Sequence, residues 1–100
     1  MSIVDDRFGL LRNATARALL GGSGATSPEL RQAIAKGLPP PELAELVQKI
    51  RSRAYTVTDA DLDSLRSRYT EEQLFEIVVS AAFGAAEERL AAAHRALESA

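Results

Sequence analysis

Apolar residues recur three and four positions apart along nearly the whole chain, the spacing of one buried face of an α-helix. Phe8, Leu11, Ala18 and Leu19, with Thr15 between them, mark a first helix from about Asp5 to Leu20, and the run Gly21-Gly22-Ser23-Gly24 ends it. A second helix starts where Ser27 can cap and Pro28 takes the first helical position, a place where its missing N–H costs nothing. It stops at Gly37. A stiff Leu38-Pro39-Pro40-Pro41 connector follows, and Pro41 opens a third helix whose face is Leu43, Leu46, Val47 and Ile50.

Tyr55, Thr56, Val57 and Thr58 form a β-favouring cluster in this helical setting, yet the residues around them spell a helix start. "VTDADL" at 57–62 and "YTEEQL" at 69–74 share one pattern: an apolar residue, Thr, acids in the first turn, then Leu. With Thr58 and Thr70 as N-caps, Asp61 and Gln73 stand at the third helical position, where their side chains reach back to the cap N–H. Val57 and Tyr69 are then placed to staple onto Leu62 and Leu74. A short helix over about Asp59 to Ser67 is predicted between the two starts. From Glu71 the pattern continues through Leu74, Ile77, Val78, Ala81, Ala82 and Ala85 to Leu90, Ala93 and Leu97, one long helix with Gly84 as the point where it could bend. Its Ala- and Gly-rich surface lets another backbone approach closely. The expectation is an all-α single domain over residues 1–100, with about five helices and the last one long.

Composition narrows the chemistry. A chain of 100 residues with 46% apolar and 26% charged residues is one ordinary globular domain, and five aromatics without Trp leave the core to Leu, Ile, Val and Ala. A formal charge of −2 offers no basic face for a phosphate backbone, so no nucleic-acid partner is expected. The absence of cysteine excludes disulfides, thiolate metal sites and cysteine-based redox chemistry in this chain. Two acids precede the short apolar stretch of the N-terminus, opposite to a secretory signal, and no run reaches the length of a membrane span. No membrane association and a cytoplasmic location are expected.

Over residues 54–90, Ala54-Tyr55, the Thr70-Glu71-Glu72 helix start, the run "FEIVVSAAFGAA" and the Glu88-Arg89-Leu90 that follows it resemble the AhpD-like, carboxymuconolactone decarboxylase family of small all-α proteins. The resemblance covers about the last half of the chain and rests on pattern, since none of these residues is a catalytic signature. Redox-active members of that family carry Cys-x-x-Cys followed four residues later by His. Aligned on Ala54-Tyr55 and on Thr70, the first cysteine position falls on Arg53, the second on Thr56 and the histidine on Ala60. Neither Arg, Thr nor Ala can supply or activate a thiolate, so the thiol peroxidase and disulfide reductase chemistry of such relatives is not expected here. Arg68 stands where relatives usually have Gly; in a left-handed conformation it would cost roughly 1 kcal/mol more than Gly. The resemblance also implies a homo-oligomer, a trimer or hexamer, and the apolar helix over 74–97 is the predicted interface.

Other motifs weigh less. Asp59, Asp61 and Asp63 imitate the opening of a calcium loop, but Ser64 replaces the required Gly and Thr70 stands in place of the bidentate Glu. Helix capping already accounts for Asp59 and Asp61, and no metal is expected. His94, the single histidine, lies among alanines near Glu87, Arg95 and Glu98, a setting more usual for a surface residue than for a ligand. The glycines at 21–24 lack the strand and spacing of a phosphate loop. Arg51, Arg53, Arg66 and Arg68 could gather around the two turns to bind an anion or pair with Asp and Glu of a neighbouring subunit, against an ordinary solvated surface. A helix-turn-helix made of residues 59–67 and 71–83 fails because its second helix is acidic at its start and apolar thereafter.

Two functions remain. One is a cysteine-free scaffold or interaction protein without a cofactor. The other, implied by the lactone decarboxylases of the same family, is an enzyme using a non-cysteine pocket near Tyr55, Arg53 and His94. A pocket gathering several of Arg53, Tyr55, Asp59 and Glu76 would favour the enzyme, and an apolar, filled site the scaffold.

Overall fold

A computed structural model describes residues 17–99, and all regular structure among them is helical. A π-helical turn, Arg17–Gly21, is followed by α1 (Pro28–Ala35), α2 (Ala44–Arg53), α3 (Asp59–Asp63) and α4 (Glu71–Ser99). Two 3₁₀ turns, Pro41–Leu43 and Ala54–Thr56, lead into and out of α2. Most of the predicted first helix lies outside the described residues; its last turn ends at Gly21, at the start of the glycine run. There is no strand among the described residues, so the β-favouring residues 55–58 serve a turn and a cap.

The helix ends form as local chemistry dictates. The Ser27 hydroxyl accepts the Leu30 N–H at 3.2 Å. At the other end of α1, Gly37 adopts φ +78°, its N–H donates to Ile34 O at 3.0 Å, and the Leu38 N–H donates to Ala33 O at 2.9 Å. This bond pair closes the helix with a left-handed residue that glycine adopts without strain. Both predicted capping boxes are present. The Thr58 N–H donates to Asp61 Oδ2 at 2.9 Å and the Asp61 N–H to Thr58 Oγ1 at 3.4 Å; the equivalent bonds between Thr70 and Gln73 are 2.8 and 3.1 Å.

Two local expectations change. α3 ends at Asp63 rather than near Ser67, because the chain beyond it tightens to i→i−3 bonding, with N–H groups of Leu65, Arg66 and Arg68 donating to Leu62, Asp63 and Leu65. That tightening accompanies the burial of Leu65 in the core. Arg68 is not left-handed, since no described non-glycine residue has positive φ. The strain foreseen there does not arise.

The core is formed by Ile34 of α1, Leu43 of the 3₁₀ turn before α2, Leu46, Val47 and Ile50 of α2, Leu65, and Leu74, Ile77 and Ala81 of α4. Val57, Leu62 and Tyr69 pack at its edge. α1 and α2 both lie against α4. The α1 crossing depends on Gly84: a methyl group there would stand 2.7 Å from the carbonyl carbon and Cα of Ala35, and closer still to its oxygen. Arg51 fastens the same junction. Its guanidinium donates to Ala35 O at 2.9 Å and pairs with Glu88, while Arg89 donates to the Arg51 carbonyl at 2.6 Å.

Candidate functional site

The segment 53–60 is a surface turn that leads from α2 into α3. Arg53 is exposed at the end of α2, and the Thr56 hydroxyl donates to its carbonyl at 2.7 Å. Ala60 and Asp59 are exposed in the first turn of α3. The backbone of Tyr55 lies in the 3₁₀ turn between α2 and α3; its side chain is outside the described set. His94 is far along α4, exposed, with Nε2 3.0 Å from Glu98 Oε1. Among the described residues, no hydrogen bond or ion pair joins any two of Arg53, Asp59, Glu76 and His94.

The acids of "DADLD" have structural work to do. Both Asp61 oxygens accept from Lys49 Nζ, at 3.0 and 2.9 Å, in addition to the cap. Lys49 first, then the Thr58 N–H, hold the Asp61 carboxyl below its ordinary pKa. Arg66 pairs with Asp63 and Glu71, and Arg51 with Glu88. Two of the four arginines singled out in the sequence therefore neutralise acids of their own chain.

Glu76 gathers partners the sequence did not foretell. Its carboxylate accepts from the Ala25 N–H at 2.7 Å, the Thr26 N–H at 2.9 Å and the Thr26 hydroxyl at 2.5 Å. Those bonds, the Thr26 hydroxyl foremost, lower its pKa. Gly24 passes beneath the carboxylate, where a side chain would collide with it. Beside it Arg31, only 3% exposed, donates to the carbonyls of Leu19 (2.7 Å), Gly22 and Ser27. An acid and an arginine thus bind the segment 19–27 to α1 and α4. Their only sequence signal is placement: Arg31 lies three residues before the buried Ile34, and Glu76 borders the inner face of α4. Ser80, on that same face, is fully buried with its hydroxyl unpartnered.

No family model, curated protein or solved structure matches this chain. Its surfaces must be read from their own chemistry.

The outer side of α4 is the most distinctive of them. The inner face comprises Leu74, Ile77, Ser80, Ala81, Gly84 and Ala85, and no described residue beyond Ala85 is buried. Leu90, Ala93 and Leu97, which the sequence pattern strings together with that inner face, lie instead on a second stripe with Phe75, Val79, Ala82 and Ala86. At about 100° per residue these seven positions fall within an arc of roughly 80°, almost opposite the core. Phe75 is 69% exposed, Leu90 49% and Leu97 78%. Near the N-terminal half of the stripe, Ala18 and Leu19 rise beside Val78, Val79, Ala82 and Phe83 to form an open apolar groove. Such a surface has no acid, base or nucleophile to offer a substrate. It can offer apolar area to another helix.

Proposed function

We propose that this protein is a non-redox, homo-oligomeric scaffold or interaction protein of the AhpD-like kind, lacking thiol peroxidase activity and joined to its partners through α4. The observation that carries this reading is the free half of α4. Every residue from 88 to 99 is exposed, and the helix extends past the last core residue while keeping leucines at positions 90 and 97. Its length, about 43 Å for 29 residues at 1.5 Å each, accounts for most of the 48 Å long axis of the molecule. The radius of gyration, 15.0 Å, exceeds the roughly 13 Å of a compact chain of this size. A helix that projects with apolar residues on it is a common means of gaining core by association.

The absence of thiol chemistry follows from Arg53, Thr56 and Ala60 in the places of two cysteines and a histidine. Assembly as a trimer or hexamer and a cytoplasmic location belong to the same reading; no helix among the described residues is long and apolar enough to cross a membrane. Size-exclusion chromatography with light scattering tests it. An oligomer is expected, and a monomer at high-micromolar concentration would refute it.

A further inference from the structure

The outer stripe of α4 has a symmetry of its own. Phe75, Val79, Ala82, Ala86, Leu90, Ala93 and Leu97 are separated by steps of 4, 3, 4, 4, 3 and 4 residues, a series that reads the same in both directions about Ala86. The same positions repeat every eleven residues: 75, 86 and 97; 79 and 90; 82 and 93. An eleven-residue repeat averages about 3.67 residues per turn, close to the natural period of the helix, so the stripe runs nearly straight.

We infer that α4 pairs with α4 of a second copy in antiparallel orientation, about a two-fold axis at Ala86. This rests on the interaction reading above and specifies its partner and register. A two-fold interface must be complementary to itself, residue i meeting j while j meets i. Reversal about Ala86 sets Phe75 against Leu97, Val79 against Ala93 and Ala82 against Leu90. Larger residues thus meet smaller ones at the inner pairs, and the two Ala86 side chains meet on the axis, where small side chains let the backbones come close. The partner's Leu90 and Ala93 arrive beside Val79 and Ala82, in the groove walled by Ala18, Leu19 and Phe83. The projecting half of each helix therefore lies on the fold of the other copy. No stripe position is charged, and opposed helix dipoles favour the antiparallel sense.

The area fits a reversible dimer. A stripe about 33 Å long on a helix 10–12 Å across, its arc of roughly 80° widened by the side chains to about a third of the circumference, amounts to roughly 350–410 Å² per copy. With the groove walls the total comes near the ~1,000 Å² at which specific association begins. A hexamer with two-fold axes can contain this pair; a bare trimer cannot.

The cysteine-free chain allows a direct test by single-cysteine cross-linking of the full-length protein. Phe75→Cys and Leu97→Cys variants, one isotopically labelled, are mixed in the reduced state and then oxidised, with each oxidised alone as a control. A mixed 75–97 disulfide is expected in large excess over either self-disulfide. Because both side chains are exposed, Ala86→Glu and Leu90→Glu should keep the monomer helical by circular dichroism while dissociating the dimer. Self-disulfides at 75 or at 97 as the main products indicate a parallel pair, and an oligomer without the mixed product uses another surface; either overturns this register while the interaction reading stands. A monomer in which Leu11→Cys and Val79→Cys join within one chain assigns the groove to the chain's own N-terminal residues and refutes both.

Discussion

Replacing Gly84 with alanine opposes two effects whose sizes follow from the helix crossing. In an isolated helix the change stabilises, by about 0.5–1 kcal/mol, because glycine loses more backbone freedom on folding. Here the new methyl meets the backbone of Ala35 at 2.7 Å, well inside van der Waals contact. The obstacle cannot rotate away, since Ala35 belongs to a helix end fixed by the Gly37 turn and by the Arg51 guanidinium on its carbonyl. Relief requires α1 and α4 to separate, loosening Ile34, Ile77 and Ala81. Overpacking of this kind costs about 1–3 kcal/mol, sometimes more. The steric term wins, and we predict a net loss of about 1–2 kcal/mol, lowering the melting midpoint by roughly 5–15 °C. Thermal unfolding followed by far-ultraviolet circular dichroism, at one fixed protein concentration because association shifts the midpoint, measures it. A Gly84→Ala midpoint equal to or above that of the parent would refute the close crossing.

One turn earlier on the same face, Ser80→Ala should act in the opposite direction: it removes an unpartnered buried hydroxyl and improves helix propensity, for a gain of about 1 kcal/mol in urea unfolding, and a loss would show that the hydroxyl has a partner. Thr58→Ala and Thr70→Ala should each cost about 1 kcal/mol in the same assay, whereas unchanged stability would mean that the capping boxes contribute nothing. Glu76 has a lowered pKa in the fold, so its contribution is complete above the ordinary glutamate value of about 4.3 and is lost as pH falls through the lowered one. The parent should therefore lose thermal stability more steeply below that pH than Glu76→Gln, and parallel profiles would remove the carboxylate from the account. Peroxide consumption with a dithiol donor should not exceed the uncatalysed background; a clear rate would overturn the assignment of Arg53, Thr56 and Ala60 as a site without thiol chemistry.

Local chemistry made much of the fold legible. Ser27-Pro28, Thr58 with Asp61, and Thr70 with Gln73 fix helix starts through bonds between residues three apart, and the face Leu43, Leu46, Val47 and Ile50 is buried as its spacing predicts. What escaped depends on contacts between distant segments. Glu76 meets Thr26 across fifty positions, and no short pattern announces an acid that will satisfy a loop's N–H groups. The continuous apolar periodicity of α4 concealed a change of face: positions 74–85 supply a core, whereas 90, 93 and 97 continue a different stripe begun at Phe75. The two are in the same helical period and differ only in phase. The expected pocket near residues 53–60 asked for convergence among several of Arg53, Tyr55, Asp59 and Glu76, and of these Glu76 is committed to residues 25 and 26.

The free half of α4 also has a thermodynamic character. Its last turn carries Glu98 and no base, so a negative charge sits at the negative end of the helix, and an exposed helical stretch of about a dozen residues, tied to α2 near its start by Glu88 and Arg89, is marginal in water even when rich in alanine. Its order is therefore a variable that association can change. Part of the binding energy of a partner would be spent on suppressing fraying, which makes the affinity lower and more temperature-sensitive than the apolar area suggests. Helicity itself then becomes a gauge of assembly: circular dichroism per residue should rise with protein concentration, and amide exchange over residues 88–99 should slow in parallel.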